Sequence, residues 1–256
     1  MHHLFDLKNK NILIVGATSA IAQAISDVFI EHHANLIWVD LFQDKLIQVR
    51  EQLNLSHSSQ VSIYPCLFSD PKSREIVIDE ILNVHQHIDI FIYAAGVQGP
   101  AGSSLAISDQ DIQKVLNVNL LAPMHFAQLL IPQMQNRKYG SLIFISSIAS
   151  VRGNQNIGLY GTSKAGLCQF ARNLAVEFGP DNIRANTISP GLIKTPFAEN
   201  LINNEFFMQQ RLAKTPLRRV GEPSEIAATA LLLACDGGAF ISGQNIIVDG
   251  GTTISD

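Results

Sequence analysis

The chain is poor in cysteine. Cys66, Cys168 and Cys235 are the only three in 256 residues, they form no CxxC pair, and their spacing suggests no disulfide framework. Three packing thiols in a reducing cytoplasm are the expectation. Charge is scarce as well. Charged residues make up 16% of the chain, the formal net charge is −4, and no block of one sign occurs. Neither nucleic acid nor an anionic membrane is therefore an expected partner. Apolar stretches such as Ala227–Ala234 are too short to cross a bilayer, and the opening MHHLFDLKNKN has no apolar core of a signal peptide. The histidines (His2, His3, His32, His33, His57, His85, His87 and His125) have no ligand-like spacing, so no metal is expected. The pairs His32–His33 and His85-x-His87 fall at helix ends. No repeat, Pro-rich linker or low-complexity segment interrupts the chain, which reads as one domain over residues 1–256.

Hydrophobic residues are plentiful, at 46%. Short β-rich runs are expected at Asn11–Val15, Asn35–Val39, Gln60–Tyr64, Ile88–Tyr93, Ser141–Ser146, Arg184–Ser189 and Asn245–Val248. Several, such as ILIV and IDIFIY, are almost continuously apolar, which marks strands buried on both faces. Helical patterns lie between them: Ala20–His33, Phe42–Leu53, Pro71–His85, Asp109–Asn136, Leu159–Phe178 and Pro223–Cys235. This alternation predicts an α/β fold, a Rossmann-type doubly wound parallel sheet of about seven strands with right-handed crossovers. Leu192–Arg219 is the main irregularity. It holds Pro196, Pro216 and the pair Phe206–Phe207, and it lies beyond a strand's carboxyl end, where such folds place a substrate lid.

The stretch VGATSAIAQAI, Val15–Ile25, occupies the first strand-to-helix turn. A helix N-terminus there can hold a pyrophosphate. Glycines usually provide the bend and the close approach, yet only Gly16 is present, with Ala20 and Ala22 where small residues are needed. Thr18 and Ser19 offer hydroxyls for phosphate or for capping. By itself the turn is equally a phosphate site or a purely structural turn. Asp40 ends the second strand. A carboxylate there accepts from ribose hydroxyls and repels a 2′-phosphate, and Leu41 and Ser19 stand where a basic residue would serve that phosphate. NAD is favoured over NADP. The structural alternative is that Asp40 caps the helix starting near Phe42.

Tyr160 and Lys164 fall at i and i+4 of a helical pattern, on one face. An ammonium near the phenol would lower its pKa and make it a usable base. Ser147 closes the preceding strand and could bond a substrate oxygen from the other side.

With these motifs the sequence resembles the short-chain dehydrogenase/reductase family over essentially its whole length. The glycine turn matches at Gly16 and Ile21 and departs at Val15, Ala20 and Ala22. The Asn-Asn-Ala-Gly motif appears as Tyr93-Ala94-Ala95-Gly96. Asn119 in NVNL, then Ser147, Tyr160 and Lys164, match the catalytic positions, and SPGLIKT and GQNIIVDGG match the Pro-Gly and carboxyl-terminal motifs.

The resemblance implies interconversion of a secondary alcohol and a ketone, with Tyr160 as general acid or base and Ser147 polarising the carbonyl. Lys164 would also hold the nicotinamide ribose, and Asn119 would position a water in a proton relay. The cofactor-binding set would be Gly16, Ser19, Ile21, Asp40, Phe68, Ala95, Gly96, Tyr160, Lys164, Ile193 and Thr195. Ile193 and Thr195 would hold the carboxamide. Leu67 replaces the usual acidic adenine ligand, leaving the Phe68 N–H. A small alcohol or ketone substrate and a homo-oligomer, tetramer or dimer, are also implied. Two alternatives stay open: a nucleotide-poor scaffold, suggested by the altered turn, and an NADPH-dependent 3-oxoacyl-carrier-protein reductase. For the latter, Arg137, Lys138 and Arg152 could form a basic docking surface.

Overall fold

A computed structural model describes residues 4–53 and 61–255. His2, His3, His57 and Gln60 lie outside the described residues. Seven parallel strands form one sheet in the order β3-β2-β1-β4-β5-β6-β7. They are β1 (Asn11–Val15), β2 (Asn35–Asp40), β3 (Val61–Pro65), β4 (Ile90–Tyr93), β5 (Gly140–Ile145), β6 (Ile183–Pro190) and β7 (Asn245–Val248). The apolar runs become central strands because helices cover both faces. On one face Ile12, Ile14, Trp38, Ile143 and Ile188 pack against α1 (Ala20–Glu31) and α9 (Pro223–Ala234). On the other, Leu13, Val39, Phe91, Tyr93 and Phe144 pack against α3 (Pro71–His85), α5 (Ala122–Arg137) and α6 (Gly158–Phe178). The Rossmann-type fold read from the alternation is thus the one found.

The helix ends follow local chemistry. Ser19 caps α1, accepting from the Ala22 N–H at 3.3 Å. Asp70 caps α3 ahead of Pro71, and Glu222 and Glu225 form a reciprocal box ahead of α9, each satisfying orphan N–H groups. Phe42 precedes α2 (Gln43–Glu51) without a side-chain cap, so Asp40 does not cap that helix.

Strand order reverses between β1 and β4, and the crevice opens at their carboxyl ends, where such sheets bind ligands. Gly16 makes the turn at β1. Its φ of +82° suits glycine, and a Cβ there would stand 2.4 Å from the Ala95 nitrogen. The Ala94 N–H in turn donates to the Val15 carbonyl at 2.8 Å, so the two strand ends are locked together.

One expected element is corrected. The single helix expected over Asp109–Asn136 is α4 (Asp109–Leu116), a π-helical turn at Asn117–Leu121, and α5. Pro123 has no N–H to give to the Val118 or Asn119 carbonyl. The Tyr93 hydroxyl takes the Val118 carbonyl instead, at 2.6 Å. The Asn119 side chain bonds both backbone groups of Val97. These contacts hold the wider turn in place. The combined run Asp109–Arg137 is long and apolar enough to cross a membrane by length and composition alone, contrary to the expected absence of such a run. Its Phe126, Ala127, Leu130 and Met134 are buried against the sheet.

Candidate functional site

Three elements bring the reacting-end residues together. β5 ends in Ile145, and Ser147 follows at the start of a short 3₁₀ turn, Ile148–Ser150. The Ser147 Oγ accepts from the Ala149 N–H at 3.1 Å. α6 then passes close to that turn. A Cβ on Gly161 would meet the Ala149 carbonyl at 2.8 Å, so glycine permits the approach that sets Tyr160 beside Ser147. The two side chains are within hydrogen-bond reach of each other. Lys164, one helical turn on, is buried. Its Nζ donates to the Ile145 carbonyl at 2.8 Å and lies 5.8 Å from the Tyr160 ring centre.

The expected electrostatics are corrected here. Burial pushes the Tyr160 phenol up from its ordinary value, and only the bond with Ser147 opposes it. Lys164 does not lower it in the free protein, because the ammonium is directed at a carbonyl and is itself desolvated. Burial lowers Lys164 to about 8.

Asn119 is fully buried. Its side-chain oxygen accepts from the Val97 N–H at 2.9 Å, and its amide donates to the Val97 carbonyl and, at 3.0 Å, to the Ser163 hydroxyl. The side chain is thus committed to tying the π-helical turn to β4's exit and to α6. Pro123, without an N–H, cannot engage the Asn119 main-chain carbonyl. Gly96 lies against both Lys164 Nζ and Asn119 Oδ1.

The remaining sequence-derived positions line the same crevice. At the N-terminus of α1, the Ala20 and Ile21 N–H groups have no partner among the described residues. Such free donors suit a pyrophosphate. Asp40 accepts from the Thr18 N–H at 2.9 Å and the Thr18 hydroxyl at 2.7 Å. Asp40 stands in register with Pro65 of β3, next to the loop carrying Leu67 and Phe68. Ile193 pairs as an isolated bridge with Gly221, and the Thr195 hydroxyl turns back to the Ile193 carbonyl at 3.4 Å. Ser19, Ile21, Ala95, Gly96, Asp40, Phe68, Ile193 and Thr195 therefore occupy the ends of β1 to β4 and β6, and the donor set fits a dinucleotide. Among the described residues no cluster of His, Cys, Asp or Glu could hold a metal. Cys66, Cys168 and Cys235 are free and buried.

One residue was not singled out by the sequence. Arg74 is buried. Its Nε donates to His125 Nδ1 at 3.0 Å and its Nη1 to the Phe68 carbonyl, so it supports the loop after β3. Phe197, in the segment after β6, lies 6.4 Å from the Tyr160 ring and roofs it. That segment is partly helical, with α7 (Glu199–Ile202) and α8 (Glu205–Ala213). The basic character of Phe68's neighbour had one available signal: an arginine in the inward register of an amphipathic helix.

A family model described as "Enoyl-(Acyl carrier protein) reductase" matches residues 16–253. A tropinone reductase homolog of Arabidopsis thaliana is 32% identical over 256 residues, covering 100% of this chain and 83% of that protein. The 3-oxoacyl-[acyl-carrier-protein] reductase FabG of Thermotoga maritima is 32% identical over 249 residues, covering 97% and 99%. A solved 7α-hydroxysteroid dehydrogenase, complexed with NADH and 7-oxo glycochenodeoxycholic acid, superposes with a TM-score of 0.90 at 29% identity, over 97% of this chain and 96% of that one.

Proposed function

Because the chain belongs to the short-chain dehydrogenase/reductase family, whose members use nicotinamide cofactors, we propose that it is an NAD-dependent enzyme interconverting a secondary alcohol and a ketone. The convergence of Ser147, Tyr160 and Lys164 in one half-buried crevice carries this reading. The nicotinamide supplies or accepts the hydride. Tyr160 gives its proton to the ketone oxygen in reduction and takes the hydroxyl proton in oxidation. Ser147 donates to the same oxygen and draws charge from the carbonyl carbon. Lys164 supplies the positive charge that a phenolate requires, once drawn from the Ile145 carbonyl toward the ribose. The Asn119 carbonyl is the station for a relay water.

Asp40 supports NAD over NADP. Its carboxylate is already an acceptor for two donors, a role that ribose hydroxyls can take over, and Leu41 beside it offers nothing to a 2′-phosphate. Ser19, Ala20 and Ile21 hold the pyrophosphate; Ile193 and Thr195 hold the carboxamide. Residues 1–256 form one nucleotide-binding unit with residues 192–219 as its lid. The exposed apolar side chains along and beside edge strand β7, Phe240, Ile247 and Ile254, support a homotetramer or dimer, and three buried thiols suit the cytoplasm.

The acyl-carrier reductase alternative calls for a basic docking surface. Arg137 is paired with Asp89 at 2.7 Å and Lys138 with Asp181, which offsets two of the three cations and weighs against that alternative. A panel of secondary alcohols and ketones with NAD(H) and NADP(H), run beside the Tyr160→Phe variant, tests the proposal. Turnover with NAD(H) that vanishes in the variant supports it; no turnover with either cofactor, or turnover unchanged in the variant, rejects it.

A further inference from the structure

At the exit of β3 the chain is held from two sides. The Cys66 N–H donates to the Asp40 carbonyl at 2.8 Å, which ties the loop to the end of β2 and, through the Asp40–Thr18 bonds, to the turn after β1. The Leu67 carbonyl accepts from the Asp70 N–H at 3.0 Å, at the start of α3. A trans peptide points its N–H opposite to its carbonyl. The Phe68 N–H is therefore turned away from α3, and it has no partner among the described residues. Leu67 is apolar and half exposed, so its side chain brings no polar group to the same place.

Phe68 rests on a buried cation. Arg74 of α3 is only 5% exposed. Its Nη1 donates to the Phe68 carbonyl, and its Nε donates to Nδ1 of His125, on α5, at 3.0 Å. A guanidinium only donates. Nδ1 must therefore present its lone pair, and the ring proton sits on Nε2, 3.7 Å from the Glu75 carboxylate. A doubly protonated imidazole would set an N–H on Nδ1 against the Arg74 N–H, and the strut would be lost. Among the described residues, Arg74 and Glu75 of α3 are the charged groups that face His125. α5 also packs against β5 and the π-helical turn, whose sequences GSLIFI and NVNLL carry no titratable side chain. The polar groups nearest Arg74 are committed elsewhere. Asp70 accepts from the Lys72 and Ser73 N–H groups, Cys66 Sγ accepts from the Ser73 hydroxyl, and the Tyr93 hydroxyl donates to the Val118 carbonyl.

We infer that Arg74, braced by neutral His125, is a positioning residue for the base of the cofactor: it fixes the Phe68 backbone so that the Phe68 N–H meets an acceptor nitrogen on the base edge. The inference rests on the dinucleotide reading of this crevice and deepens it at the adenosine end. Two properties follow. The base is chosen by one backbone donor. Adenine, whose N1 accepts, is preferred over hypoxanthine, whose N1 carries a hydrogen and cannot accept. The grip also loosens in acid, because a proton on His125 removes the brace from Arg74, and the Phe68 carbonyl loses its fixed partner.

The test uses the full chain and needs no turnover. NAD and nicotinamide hypoxanthine dinucleotide are titrated calorimetrically at about pH 8 and at about pH 5.5, values that bracket the range in which imidazoles titrate. At the higher pH the wild-type chain binds NAD roughly tenfold more tightly than the hypoxanthine analogue, the size of one hydrogen bond. At the lower pH the preference shrinks to about threefold or less. Arg74→Met removes the preference at both values. Arg74→Lys, which reaches one acceptor and not both, keeps part of it and serves if the methionine variant does not fold. His125→Asn keeps an acceptor near the place of Nδ1 but cannot titrate, so it retains the preference at both values. A merely structural role for Arg74 would weaken both dinucleotides alike. Equal binding of the two dinucleotides by the wild-type chain, a preference unaltered in the Arg74 variants, or the same pH dependence in His125→Asn as in the wild type overturns the inference and spares the dinucleotide reading. Binding of neither dinucleotide by the wild-type chain overturns both.

Discussion

At the reacting end of the crevice, side chains are fixed by backbone partners: Lys164 by the Ile145 carbonyl, Asn119 by both groups of Val97, Ser147 by the Ala149 N–H. At the end assigned to adenosine, fixed side chains stand beside positions where residues are simply replaced. Asp40 holds Thr18, Arg74 holds the Phe68 carbonyl, Ala20 and Ala22 stand for small residues, and Leu67 stands for an acid. The contrast reflects what each end must do. Proton transfer depends on geometry within fractions of an ångström, so that end tolerates little. In the proposed reaction the adenosine end contributes only binding, which can be rebuilt from other donors.

The sharpest way to break this comparison is Tyr160→Phe. Turnover falls by roughly a thousandfold, within the usual range for losing a general acid–base, while NADH binding measured by fluorescence stays within about threefold. A comparable loss of NADH affinity would mean that the two ends are not separable. Next is Gly16→Ala. A methyl at positive φ, pressed on the Ala95 backbone, costs roughly 2–4 kcal/mol of stability in chemical denaturation, and cofactor binding weakens with it. Asp40→Asn weakens NADH binding roughly tenfold and narrows the gap to NADPH, since a charged acceptor is lost and the repulsion of a 2′-phosphate goes with it. An unchanged NADH-to-NADPH ratio would remove Asp40 from the cofactor site. The smallest effect belongs to Ala20→Gly with Ala22→Gly: NADH affinity changes by about threefold or less, and stability drops by about 1 kcal/mol per glycine placed in a helix. A tenfold or greater gain in affinity would show that the methyls obstruct the diphosphate.

A pH profile sharpens the same contrast. Burial lowers Lys164 in the folded chain to about 8 from its ordinary 10.5. The unfolded chain therefore binds more protons between these values, and stability attributable to this group rises as pH rises through that window. Below about 8 the lysine is charged in both states and the full burial penalty stands. Relative to Lys164→Met, the wild-type chain gains stability from pH 8 to 10.5. A flat difference would contradict the burial of a charged lysine.

The strands and most helices were legible because buried parallel strands need long apolar runs and amphipathic helices need periodic ones. The Tyr160–Lys164 spacing was legible for the same local reason. The break at Asn117–Leu121 was not, since it depends on the Tyr93 hydroxyl and the Val97 backbone, which are distant in sequence. Nor was the state of the phenol: spacing places an ammonium on the same face, but the Ile145 carbonyl decides where it points.

By itself the sequence determined the sheet and the family, because periodicity and short motifs are local. Tertiary structure alone decided that Asp40 braces Thr18, that Lys164 is desolvated to about 8, and that the Arg211 Nε is buried with no partner among the described residues. Burial and charge proximity arise only when segments far apart in the chain are packed together, and those two quantities set what each group can do.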